Sequence, residues 1–359
     1  MNPSQHMPVR LPWLPLWQLV LARLREFCRE PAAIFWVYVF PILTMLTLGI
    51  AFRNKPVEQI TVLVQEGPQA QVLLAALTND AEGRFRARIV DDETARRQLR
   101  IGKSDLVISA PSSEEPAYHY YFDPTKPGGV LARNAADDVL QRAAGRKDLV
   151  VTHVHEVSEP GGRYIDFLVP GLLGVGIMGG GLWGVGFAIV DMRIRKLLKR
   201  FLATPMRRSH FLAAVMISRL LFTIPEIVFL LVCAHWFFGV VNHGSYVAVG
   251  LVILMGTIEF AGIGLLVASR AKTLETVSGL MNLVMLPMWM ASGIFFSYER
   301  FPEEVQPFIR YLPLTPLIDA LRAIMLEGAT LASLWLPLLI ITIYGMASFV
   351  LALRWFRWN

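Results

Sequence analysis

Six stretches of the chain run close to the length a helix needs to cross a hydrocarbon layer about 30 Å thick, roughly 20 residues, with almost no charge. They are Pro31–Phe52, Phe167–Val190, Leu220–Val241 (interrupted only by Glu226), Tyr246–Ser269 (interrupted only by Glu259), Thr276–Ser297 and Gly328–Leu353. Backbone groups in lipid must bond internally, so these runs predict helices rather than strands. The pattern predicts an α-helical polytopic membrane protein with six transmembrane helices. The second begins near residue 165, where the preceding polar stretch ends.

Residues 53–164 read differently, as alternating short strands and helices. Strands are expected at Ile60–Gln65, Phe85–Val90, Asp105–Ala110, Ala117–Phe122 and Val150–Val157. Helices are expected at Gln71–Leu77, Glu93–Arg100 and Val130–Ala144. That alternation predicts a mixed α/β layer domain between the first and second spans. The remaining pieces are a segment at 1–30, a basic link at 191–219, a link at 298–327 that re-enters or carries short helices, and a tail at 354–359.

Composition agrees with a membrane reading. Of 359 residues, 54% are hydrophobic and 17% charged, against about 25% charged in soluble chains. The net charge of +6 raises nucleic acid as a partner, but acidic and basic residues nearly balance in the insert, so no nucleic-acid footprint appears there. The surplus lies in short links. With the N-terminus inside, the inner segments hold sixteen Lys/Arg and the short outer links only Arg300, Arg310 and Arg322. This predicts both termini in the cytoplasm and the insert outside. Trp17, Val20, Leu21, Leu24, Phe27 and Cys28 recur at helical spacing, the pattern of an interfacial amphipathic helix. Cys28 falls inside and Cys233 within the third span, which makes a disulfide between them implausible.

Three motifs fail on context. Gly102-Lys103-Ser104 ends like a phosphate-binding loop, but Arg97 stands where the first glycine belongs and a strand follows. Gly174, Gly176 and Gly179 match a dinucleotide fingerprint, yet they lie inside a span. There Gly176, Gly180 and Gly184 read better as a small-residue stripe that admits another helix, in this chain or a partner. His119, His153 and His155 lack the acidic or thiol companions of a metal site. No metal, cofactor or catalytic residue is expected.

Ionisable groups inside a bilayer are costly and usually paired or functional. Glu259 falls near mid-membrane, on a translocation path, at a subunit seam, or as a structural hydrogen-bonded acid. Glu226, placed nearer the interface, reads as structural. In the link 191–219, bases oppose Ile194, Leu197, Leu198, Phe201 and Leu202. This reads as an anchor on anionic lipid or as a helix docking on a partner.

Several segments, in order, resemble the membrane subunits of ABC-2 type transporters. They are Arg29-Glu30-Pro31 before a span ending at Gly49–Phe52, Leu99–Pro111, Tyr164–Gly171, the FLATPMRRSHFL stretch from Phe201, Ser292–Phe295 with Phe301-Pro302, and Leu312–Pro316 with Asp319–Arg322. Arg193-Ile194-Arg195-Lys196 departs from the acidic segment common in such permeases after the second span. The resemblance implies an exporter permease in the bacterial inner membrane, paired with a second copy or a paralogue. Separate cytosolic ATPase subunits would bind the ATP, since the chain has no Walker A motif. It also implies a coupling helix on the ATPase, involving Arg195, Lys196, Lys199, Arg200, Thr204, Pro205 and Arg207. Thr315 would cap an outer helix with Pro316 at its first position, which would carry Asp319 and Arg322 and cover the outer mouth; the plainer expectation for these two is a helix-surface ion pair. Hydrophobic or amphipathic compounds are the expected substrates. The rival readings are a membrane-anchored sensor or scaffold working through the insert, and a secondary transporter using Glu259.

Overall fold

The computed structural model describes residues 14–52, 59–80, 83–109, 117–147, 162–197 and 208–355. The expected final strand of the insert, and His153 and His155, lie outside them. The chain divides into two compact units, residues 54–157 and the remainder.

In the larger unit, α1 (Leu14–Cys28) and α2 (Pro31–Ile34) precede a π-helical turn at Phe35–Val39 and α3 (Phe40–Ala51). In the insert unit come β1 (Ile60–Gln65), α4 (Ala70–Thr78), β2 (Phe85–Val90), α5 (Asp92–Arg100), β3 (Leu106–Ser109), β4 (His119–Tyr121) and α6 (Pro127–Ala143). The larger unit resumes with α7 (Tyr164–Gly181), a second π-turn at Leu182–Phe187 and α8 (Ala188–Ile194). After these come α9 (Arg208–Phe238), α10 (Tyr246–Ala268), α11 (Leu274–Ala291), α12 (Gln306–Arg310), α13 (Leu314–Glu327) and α14 (Trp335–Trp355).

Five helical stretches among the described residues are long and apolar enough to cross a membrane: Tyr164–Ile194, Ala213–Phe238, Tyr246–Ala268, Leu274–Ala291 and Trp335–Trp355. The first expected span is a shorter apolar helix, Phe35–Ala51. Each of the other charge-free runs overlaps one of these stretches, with boundaries that differ; the fifth run, expected to Ser297, is helical only to Ala291. The third was expected to begin at Leu220, where the charges stop, yet α9 begins at Arg208 and carries Arg219 inside its body. Arg219 is tolerated there because it is paired, as described below. The sixth begins at Trp335, after a turn at residues 331–334.

The spanning helices pack through glycine. A methyl added to Gly181 would meet the Phe260 backbone at 2.5 Å, and one on Gly186 the Gly264 carbonyl at 2.5 Å. Gly345 and Gly262 bring α14 close to α10, where an added methyl would meet the other helix at 3.2–3.3 Å. Without side chains in the way, backbones approach and dispersion contacts multiply, the usual route to helix association in lipid. α1 lays Leu16 and Val20 against Ala214 of α9, and leaves Trp17 and Leu21 exposed.

The insert has a four-stranded sheet in the order β2-β1-β3-β4, parallel except for β4. The crossovers β1-α4-β2 and β2-α5-β3 travel in opposite directions along it. Right-handed connection therefore puts α4 and α5 on opposite faces. Two cores result. Val62, Val64, Leu106 and Ile108 meet α4 and α6, while Leu63 and Val107 meet α5. Asp91 caps α5 by accepting from the Thr94 amide at 2.9 Å.

Candidate functional site

One end of the bundle carries Arg193, Arg270 and Lys272 and is called here the basic end. The other, capped by α12 and α13, is called the capped end. The two ends and the middle each hold a cluster of polar groups.

At the basic end, Arg193 closes the last turn of α10. Its guanidinium donates to the carbonyls of Ala268 (2.9 Å) and Ala271 (2.7 Å), satisfying acceptors that a helix C-terminus leaves open. Arg195 pairs with Asp191 at 2.9 Å, one turn back. Lys196 takes a left-handed conformation (φ 58°), ending that helix. Lys199, Arg200, Thr204, Pro205 and Arg207 lie outside the described residues.

In the middle, Arg219 and Glu226 of α9 form a buried ion pair at 3.0 Å. Arg219 also donates to the Gly176 carbonyl at 3.2 Å. The stripe Gly176, Gly180 and Gly184 faces this pair. A methyl on Gly176 would overlap the Glu226 carboxylate, one on Gly180 would overlap the Arg219 guanidinium, and one on Gly184 would lie 3.6 Å from the Arg219 Cδ. The stripe therefore receives a helix of the same chain, and what fills it is charged side chain rather than backbone. Glu226 was expected near enough to the interface to reach water; it is instead buried on Arg219, opposite Gly176.

Glu259 is fully buried in α10 at the α14 crossing, where Gly345 would place a methyl 3.3 Å from its Cα. Neither carboxylate oxygen has a hydrogen-bond partner among the described residues.

At the capped end, three segments that sequence had marked separately meet on one side chain. The Arg322 guanidinium stacks over the Phe167 ring at 3.7 Å and donates to the carbonyls of Gly293 (2.8 Å) and Phe167 (3.4 Å). Asp319 lies 3.8 Å away. Gly293 adopts a left-handed turn (φ 77°), which presents its carbonyl to Arg322 and favours glycine there. Arg322 thereby joins α7, the turn after α11, and α13. The expected surface pair is instead largely enclosed, with the Arg322 side chain 15% exposed. Thr315 is not the cap. α13 begins at Leu314 after Pro313, and the Thr315 hydroxyl is buried with no hydrogen-bond partner among the described residues. Burial pushes the Asp319 carboxyl up to about 6, against the pull of Arg322.

Sequence reading missed Arg163, which forks onto Asp166 at 2.9 Å and reaches the Phe238 carbonyl at 2.7 Å, tying α7 to the end of α9. The signal was present: an acid three residues after an arginine, at a helix start. It also missed Arg193 and Phe167, whose partners are distant in sequence.

Known proteins place this arrangement. A family model described as ABC-2 family transporter protein matches residues 31–354. The linearmycin resistance permease protein LnrN of Bacillus subtilis is 26% identical over 41% of this chain and 38% of its own. The inner membrane transport permease YhhJ of Escherichia coli is 29% identical over 33% of this chain and 32% of its own. Nodulation protein J of Bradyrhizobium diazoefficiens is 32% identical over 31% and 41%. The chain thus spans about a third to two-fifths of these relatives. With the family match running from the first apolar helix to the last, this chain belongs to the ABC-2 family of transporter proteins, and its apolar helices make it a multi-pass membrane protein.

Proposed function

We propose that the chain is the permease of an ATP-driven exporter that moves a hydrophobic or amphipathic compound out across a bacterial inner membrane. The observation that carries this reading is the family match over residues 31–354, on a bundle whose basic end matches the positive-inside rule. In this reading Pro31–Ala51 is the first of six spans, both termini are cytoplasmic, and residues 53–164 form an extracytoplasmic domain. The basic end receives a separate ATPase subunit through Arg195, Lys196, Lys199, Arg200, Thr204, Pro205 and Arg207. ATP binds there, and this chain holds no cofactor. A second permease copy completes the pathway. Glu259 and the Gly176–Gly184 stripe set the packing beside the path, and Arg322 with Asp319 closes the outer mouth. A relative named as a linearmycin resistance permease supports the transport reading, by analogy.

Affinity purification of the full chain from its native host is expected to bring down an ATPase subunit. Reconstituted vesicles are expected to move substrate only with that subunit and ATP. Transport by the chain alone, driven by a proton gradient and abolished by Glu259→Gln, would support a secondary transporter instead. Retained activity of a chain lacking transport but bearing an intact insert would support the sensor reading.

A further inference from the structure

Among the described residues of the insert, α5 is the one helix on its face of the sheet, since α4 and α6 pack on the other. Strands lie about 4.8 Å apart, so four of them are wider than the roughly 10 Å that one helix covers. The register lines up Leu63, Val107 and Tyr121 across this face. Leu63 and Val107 are buried with Ala95 and Leu99 of α5, whereas Tyr121, on the far strand, is 50% exposed. On one flank of α5, Gln98 bonds Arg88 of β2. Arg96 and Arg100 stand on the other flank, toward β3 and β4. The uncovered part of the face is a cleft of about 560 Å³, lined by Gln65, Arg96, Leu99, Arg100, Val107 and Tyr121.

The charges around this cleft are matched except for one. Arg96 pairs with Asp92 at 3.0 Å, and Asp92 also accepts from the Gln65 amide at 2.6 Å. Asp123, at the end of the cleft, accepts from the Thr125 amide at 3.0 Å and its hydroxyl at 2.6 Å, with the Lys126 ammonium 4.0 Å away. The Arg100 guanidinium has no partner among the described residues. A guanidinium takes the oxygens of a carboxylate or sulfonate in a fork, and a tyrosine ring takes a flat apolar body. A cation would meet Arg100 unopposed, and a purely apolar compound would leave it unpaired.

We propose that this cleft binds a small amphipathic anion, a planar apolar body carrying one carboxylate or sulfonate. The body lies on Tyr121, Val107 and Leu99, and the anionic group pairs with Arg100. The site lies wholly within the insert. It goes beyond the transport reading and does not depend on what the spanning helices move.

The test is titration calorimetry on the full chain in lipid nanodiscs, with the heats of empty discs subtracted. The probes are 2-naphthoate and its neutral counterpart, 2-naphthalenemethanol. Saturable binding of one naphthoate per chain is expected, with the alcohol about tenfold weaker. Arg100→Gln is expected to weaken naphthoate about tenfold and leave the alcohol unchanged, with Arg100→Lys between the two. Tyr121→Ser should weaken both probes. Arg142→Gln, exposed on α6 and so on the other face of the sheet, should weaken neither. Melting midpoints equal to the parent's show that a loss is not unfolding. The site is overturned by the absence of saturable binding, by equal affinity for alcohol and naphthoate, or by an equal loss in Arg142→Gln. Binding by a chain that moves no substrate with its ATPase removes the exporter reading and leaves the site. Transport without binding does the reverse.

Discussion

Two buried arginines of one bundle are held in opposite ways. Arg219, in the middle, has one strong partner, Glu226, plus the Gly176 carbonyl, and its space is made by glycines. Arg322, at the capped end, has an aromatic face, two carbonyls and an acid. The middle pair is closed and without spares. The capped end is redundant, partly hydrated, and built from segments up to 155 residues apart. Desolvation sets the difference. Deep in the bundle an arginine is tolerable only with a full counter-charge, whereas near the surface dipoles and a ring suffice.

The largest effect should come from splitting the middle pair. Glu226→Ala, leaving Arg219 buried and unpaired, is expected to cost on the order of 3–5 kcal/mol, read as a lowered melting midpoint in lipid nanodiscs. Restoring stability by a second change, Arg219→Met, would support the pairing. If Glu226→Ala melts like the parent, the contrast collapses. Next, Gly180→Val should displace the guanidinium and cost about 1–3 kcal/mol, while Gly179→Val, where no neighbour stands within 4 Å, should cost much less. Equal losses would mean that the stripe does not receive Arg219.

At the capped end, Arg322→Lys retains charge but loses the planar stack and the fork. It is expected to cost about 1–2 kcal/mol, less than Glu226→Ala by the same melt. A further effect concerns protons. The Asp319 carboxyl, raised to about 6, keeps a proton in the fold that the unfolded chain has released. Stability from this group is therefore fully present below about 4, falls as pH rises toward 6, and is flat above. Asp319→Asn should remove that slope. A parent and variant with the same slope between pH 4 and 6 would sink the assignment.

What could be read from the residues follows from how local each signal is. Strand alternation and helical spacing placed β1 at Ile60–Gln65 and β2 at Phe85–Val90, because both depend on neighbours. The spans were legible for the same reason. The start of α9 was not, since a buried arginine looks like a boundary until its partner seven residues on is known to face it. Asp319 and Arg322 were singled out from their spacing, but their surroundings depend on Phe167 and Gly293, which only the folded chain brings near. The glycine stripe was recognised as a packing feature. That it cradles charge could not be read from glycines alone.

The π-turn at Leu182–Phe187 has a consequence for length and phase. It interrupts one rod that runs from Phe167, under the Arg322 ring contact, to Arg193 on the last carbonyls of α10. A π-turn holds one residue more than the α-helix it replaces. Deleting one residue there would give an unbroken α-helix and turn everything beyond it by about 100° relative to the capped end. Arg193 would then point away from Ala268 and Ala271. The wide turn works as a phase adjuster, one inserted residue that keeps both ends of the rod in register with their partners.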